Sequence, residues 1–139
     1  MNRKRSFLYT GLALTLSALV AACAPAAPVA KVTFLEPKNG ATVSSPVGVK
    51  MTAENFTVEP AGEVKAGAGH LHITVDDECT PAGQVITKDD AHLHYGNGQV
   101  EATLGLAAGP HTLCLQAGDG AHIALPGAGM TQKISINVQ

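Results

Sequence analysis

Six histidines and three cysteines hold most of the reactive chemistry in this 139-residue chain. The histidines all fall in its second half: His70, His72, His92, His94, His111 and His122. Four of them form two His-x-His pairs, Gly69-His70-Leu71-His72 and His92-Leu93-His94. In a β-strand, residues two apart point to the same face. Leu71, Ile73 and Val75 claim a core side, so His70 and His72 are expected on the opposite face or rim. The same parity turns Leu93 inward and puts His92 and His94 outward together. If the two segments are neighbours, up to four imidazoles converge. Imidazole binds zinc, copper, nickel and iron, and its borderline-soft character suits copper or zinc best. His122 follows the tight Gly118-Asp119-Gly120 turn, where a loop ligand could sit. Met130 offers a soft thioether to cuprous ion if its loop folds back. Asp76, Asp77, Asp90 and Asp119 are carboxylates that could fix imidazole tautomers. His111 shares the parity of Leu113 and Leu115, which reads as a hydrogen-bonded histidine at the core edge. The alternative for the whole set is structural, with hydrogen bonds from the imidazoles knitting strand ends together. Histidine ligation predicts metal affinity that falls as pH drops through about 6.5, because the ligands must be neutral.

The cysteines divide by position. Residues 1–22 read as a signal peptide: the positive Asn2-Arg3-Lys4-Arg5 precedes an apolar run from Phe7 to Val20 and then small residues. The apolar stretch is shorter than the roughly 20 residues that span a bilayer. Leu19-Val20-Ala21-Ala22-Cys23 resembles a bacterial lipobox, in which the cysteine is lipidated and becomes the first mature residue. Cys23 is therefore the expected lipidation site, with a membrane anchor there and the periplasmic side as location. Ala24 at the next position resembles the pattern of outer-membrane sorting, if the host is Gram-negative. Residues 23–30 then form a Pro/Ala tether. The other two cysteines, Cys79 and Cys114, lie in an exported chain, where an oxidising compartment favours a disulfide over thiolate metal ligands.

The elements that must position these groups read as strands. Val32 and Phe34 lie in a run closed by the turn cluster Pro37-Lys38-Asn39-Gly40. Val47, Val49 and Met51 alternate with Gly48, Lys50 and Thr52, the period of a half-buried strand. The same alternation recurs around Leu71, Leu104, Leu113 and Ile136. Glycine- and proline-containing turns separate the runs, and no sustained 3.6-residue period occurs after the signal peptide. Residues 31–139 are expected to form one all-β domain, an immunoglobulin-like β-sandwich.

Charge narrows the partners. Nine basic and eleven acidic residues give a formal charge of −2, but three of the basic ones sit in the leader. Without the leader the balance is six against eleven, and no arginine remains. A nucleic-acid groove would want arginine and a basic face, so nucleic-acid binding is not expected. No Gly-x-Ser-x-Gly, His-Glu-x-x-His or phosphate-cradling loop is present, which argues against the usual hydrolases.

Three ordered blocks carry a family resemblance: Gly69 to Asp76, Asp90 to Gln99, and Gly109 to His122. Together they resemble the domain of unknown function 4399, an exported bacterial family, over roughly Phe56 to Val138. The resemblance implies the fold and brings no catalytic residues. Gly69, His70, His72, Cys79, Cys114, Asp119 and His122 also echo copper/zinc superoxide dismutase. Here, however, the glycine directly precedes His70, and the mature chain has no arginine to steer superoxide. Three functions follow as expectations. The first is an envelope lipoprotein that stores or delivers copper or zinc on His70, His72, His92, His94, His122 and Met130, with a metal-trafficking partner. The second is a non-catalytic module that meets an envelope protein. The third is a copper-dependent oxidoreductase.

Overall fold

The computed structural model describes residues 28–139. The expected signal peptide, the expected lipidation site Cys23 and most of the expected tether lie outside the described residues. No helix occurs among the described residues, and nine strands form two sheets. The first sheet orders β1 (Lys31–Glu36), β3 (Val47–Glu54) and β7 (Glu101–Leu104) as β1-β3-β7. The second orders β2 (Thr42–Val43), β9 (Thr131–Val138), β8 (Gly109–Gly118), β5 (Ala68–Val75) and β4 (Thr57–Val58), and β6 (His92–Tyr95) also pairs with β5. All pairings are antiparallel except β2 with β9 and β4 with β5. A three-stranded sheet facing a sheet centred on the later strands, with the chain crossing after β1 so that short β2 pairs beside the last strand, is an immunoglobulin-like arrangement. The all-β sandwich read from the alternating runs is what the chain forms.

Each sheet lays one apolar face on the other. Val32, Phe34, Val47, Val49, Met51 and Leu104 come from the first sheet. Leu71, Ile73, Leu113, Leu115, Ile134 and Ile136 come from the second. Alternation is clean in β3 and β9, whose other faces are exposed. It fails in β5, where every residue from Ala68 to Thr74 is buried. A strand buried on both faces must be covered by something beyond the opposing sheet.

The cover is the long connection from β5 to β6. Its start is fixed twice to β8. Cys79 is disulfide-bonded to Cys114, and the buried Gln116 side chain holds Thr80 from both sides. Thr80 N–H donates to Gln116 Oε1 at 3.0 Å, and Gln116 Nε2 donates to Thr80 O at 2.6 Å. Further on, Gly83 N–H donates to Ala124 O, Ala124 N–H to Gln84 O, and Ile86 N–H to His122 O. This short ladder seats Ile86, itself buried, over the second face of the sheet.

The disulfide closes a loop of 36 residues, for which chain entropy alone gives about 4 kcal/mol. A Cys79→Ala/Cys114→Ala double variant should lose stability of that order. Equilibrium urea unfolding checks this: an unchanged midpoint and slope would mean that the cover holds without its staple.

Candidate metal centre

Strand register brings three of the histidines together. His70 and His72 occupy the β5 face opposite Leu71 and Ile73, and His72 pairs directly with His94 of β6. His70 pairs on its other side with Gly118 of β8. With no side chain at that position, the chain turning out of β8 can pass close over the imidazoles. A Cβ on Gly118 would press on the His72 ring and on Ile86.

The turn delivers the fourth ring. Asp119 Oδ1 accepts from Ala121 N–H at 2.8 Å and from Ile123 N–H at 2.9 Å. His122 N–H donates to Asp119 O, and Asp119 N–H donates to Ile123 O. This locked turn holds His122 at φ 68°, a left-handed conformation uncommon for a residue with a side chain. Strain of that kind tends to gather at functional sites and persists only where the surroundings enforce it. The Asp119 carboxylate is thus spent on backbone and shapes the loop.

Four imidazoles result, each near all of the others. Ring centroids are 4.6 Å apart for His70–His72, 4.9 Å for His70–His94 and 4.8 Å for His70–His122. The remaining pairs are 5.1 Å for His72–His94, 6.0 Å for His72–His122 and 4.7 Å for His94–His122. Ring planes are tilted or edge-on, with none stacked parallel. His70 and His72 share one hydrogen bond, Nε2 to Nε2 at 2.9 Å, so one of the two nitrogens carries the proton. Each ring also keeps one buried nitrogen with no hydrogen-bond partner: His70 Nδ1, His72 Nδ1, His94 Nε2 and His122 Nδ1. Leaving such groups unpaired costs about 1–3 kcal/mol apiece. Potential ligand atoms of His70, His94 and His122 lie within 4.8 Å of one another.

Burial sets the charge state. His70 and His72 are 0% and 1% exposed. Desolvation, followed by the neighbouring imidazoles, lowers His70 to about 4 and His72 to about 3. Desolvation also lowers His94, with His122 and Lys88 adding to the effect. Neutral rings at neutral pH are the form that binds metals.

The other expected ligands lie elsewhere. Met130 is packed in the apolar core with Leu71 and Ala117, on the face that the histidines turn away from. The β8–β9 connection folds inward, so its thioether is part of the core. His92 keeps the parity of His94 but stands opposite Thr74, one pair further along, and its Nδ1–H donates to Asp89 Oδ1 at 2.8 Å. His111 is a hydrogen-bonded edge residue. Nδ1 meets Asp76 Oδ2 at 2.6 Å and Nε2 meets Ala107 O at 2.9 Å. Both partners can only accept, so this ring is the protonated form. The Asp76 hydrogen bond accordingly raises His111. Burial alone would raise Asp76, but hydrogen bonds from Thr112 and His111 carry it below its usual value.

Sequence reasoning passed over three contributors. Asp89 caps the start of β6, also accepting from Ala91 and His92 N–H, and an aspartate three residues before a strand histidine is a readable local pattern. Gly96 and Gly118 leave the space that the His94 and His72 rings use. The Gly118 neighbours His72 and Ile86 are distant in sequence, so no local pattern marks that glycine, whereas Gly96 lies two residues after His94.

Residues 49–139 match the family described as Domain of unknown function (DUF4399). The chain belongs to this family. The match covers β5 to β9 and therefore all six histidines and the disulfide. No curated protein and no solved structure matches the chain.

The lowered histidines fix a sign for acid stability. A group whose folded pKa lies below its unfolded value contributes stability above the unfolded value and loses it on acidification. Without metal, stability should therefore fall from pH 6.5 toward about 5, and Asp76 and Asp89 add their own loss only below that. His111 is raised, so its contribution opposes this slope between pH 7 and about 5.5 and adds none below that, where the ring is protonated in both states. Thermal unfolding across pH 4–7 reads this directly, and a His70→Gln/His72→Gln variant should show a flatter profile. A wild-type melting temperature that rises on acidification below about pH 5.5 would contradict buried neutral imidazoles.

Proposed function

We propose that this protein binds one transition-metal ion on His70, His72, His94 and His122 and serves as a cell-envelope store or carrier for it. The observation that carries the reading is the six ring-to-ring distances of 4.6–6.0 Å, together with an unpartnered buried nitrogen on every ring. Metal–nitrogen bonds of about 2.0–2.1 Å in a tetrahedron put imidazole centres about 5 Å apart. Ligand atoms of His70, His94 and His122 already lie within 4.8 Å of one another, and His72 adjoins them through its contact with His70. Cupric ion favours tetragonal sites, whereas zinc has no such demand and accepts tetrahedral nitrogen ligands. Zinc or cuprous ion therefore fits this set better than cupric. The ligand set has no carboxylate among its donors, and Asp119 is the acid whose charge reaches His70.

Transport or storage agrees with the rest of the reading. Four protein ligands close the coordination sphere, as in sites that hold an ion rather than catalyse on it. The lipobox-like Cys23 would tether the domain to the membrane on the periplasmic side, outer membrane if the host is Gram-negative. The 23–30 tether would let the domain meet a metal-trafficking or envelope partner. The alternative is an interaction module in which the imidazoles are structural. The His70–His72 hydrogen bond favours it, since it already partners one nitrogen of each ring.

Metal titration of the full chain separates the two. One equivalent of zinc or cuprous ion should bind, and cobalt(II) loaded in its place should show the intense visible bands of a tetrahedral complex. His70→Ala, His94→Ala and His122→Ala should each weaken binding beyond the roughly 10–100-fold seen when only an outer partner is lost, while His111→Ala leaves it unchanged. No binding by the folded chain leaves the module reading.

The proton competition expected near pH 6.5 moves as well. With His70 near 4 and His72 near 3, protons displace the ion from these ligands only in more acidic solution. Zinc affinity should therefore fall less steeply between pH 8 and 5 than it would for four free imidazoles. Isothermal titration at stepped pH measures it, and a steep loss already at pH 7 would contradict ligation by these buried rings.

A further inference from the structure

His92, outside the cluster, carries the chemistry of a ligand. Its Nδ1–H is held by Asp89 Oδ1, which leaves the Nε2 lone pair free, and ligating histidines are commonly oriented by such a carboxylate. Asp89 is itself fixed by two backbone donors, Ala91 and His92 N–H. His111 offers the contrast, since both of its nitrogens are engaged.

Position adds a second argument. His92 and His94 both line a groove of about 410 Å³, with Lys88, Asp89 and Asp90 on one side and Thr103 to Leu106 of the opposite sheet on the other. His70 and His72 are closed off from solvent, while His94 and His122 are half-buried. An ion from solvent must therefore first meet one of the half-buried rings. His94 belongs to both the groove and the cluster.

We propose that this groove is the path by which a divalent or cuprous ion reaches the four-histidine site, with His92 as the transfer ligand. The proposal rests on the metal reading above. The hydrated ion gives up a water to the His92 Nε2 lone pair, under the attraction of Asp89 and Asp90. It then exchanges His92 for His94, and the remaining waters for the other three rings. No electron moves, and each bond formed to nitrogen replaces one to water. A transfer ligand is absent from the final set, so it alters rates of loading and release and leaves the end states alone.

Stopped-flow uptake of free zinc ion by the full chain, paired with equilibrium competition against a chelator, tests this. His92→Ala should slow uptake and release by about tenfold or more and leave the dissociation constant within about threefold. His92→Phe, which keeps a packed ring without a nitrogen, should match it, and Asp89→Asn should slow uptake less. Uptake at the wild-type rate in both His92 variants overturns the path while leaving the site standing. A dissociation constant weakened as much as in His94→Ala also overturns it, since His92 would then be a permanent ligand. If the wild type takes up no zinc, the metal reading falls and the path falls with it.

Discussion

Gathering four imidazoles over the second face of β5, two of them fully buried, is the constraint from which the rest of this molecule follows. Strand geometry puts Leu71 and Ile73 in the core and necessarily turns His70, His72 and Thr74 the other way. In an ordinary sandwich that outward face would meet water. Here it is roofed over, and each polar ring moved out of water needs a partner to offset its desolvation. One Nε2–Nε2 hydrogen bond satisfies part of that need. The nitrogens that remain are the feature a metal ion would satisfy.

The roof explains features that would otherwise look unrelated. The Cys79–Cys114 bond and the Gln116–Thr80 pair both bind the β5–β6 connection to β8. The bond thus differs in place from the inter-sheet disulfide of antibody domains. The Asp119 turn presents His122 from above and accepts Ile86 through the His122 carbonyl. Gly118 lets that turn approach β5, and Gly96 lets the His94 ring lean inward. Substituting either glycine with alanine would force a ring or a backbone segment to move.

Much of this was legible in the sequence because it depends on local period. Alternation in β3, β5 and β9 marks the core face directly, and the two His-x-His pairs announce a shared face. Their meeting is a matter of register, His72 opposite His94, which a short β6 does not reveal. Parity alone grouped His92 with His94, but a strand spreads i and i+2 along its axis by about 6–7 Å. The cluster's centre lies beyond His94, so His92 falls outside it. Met130 was misplaced for a related reason: a methionine in a loop reads equally as a ligand or as gap-filling core, and the apolar interior took it. Full burial of His70 and His72 was not readable either, since the covering connection has no strand pattern of its own. That same burial is what lowers their pKa values.

The central claim is that four imidazoles surround one ion. X-ray absorption fine structure of the zinc-loaded protein addresses it most directly. The account predicts four nitrogen scatterers at about 2.0–2.1 Å, with the outer-shell pattern of four imidazole rings. A first shell containing sulfur or carboxylate oxygen, or an outer shell that fits two imidazoles or fewer, would contradict it.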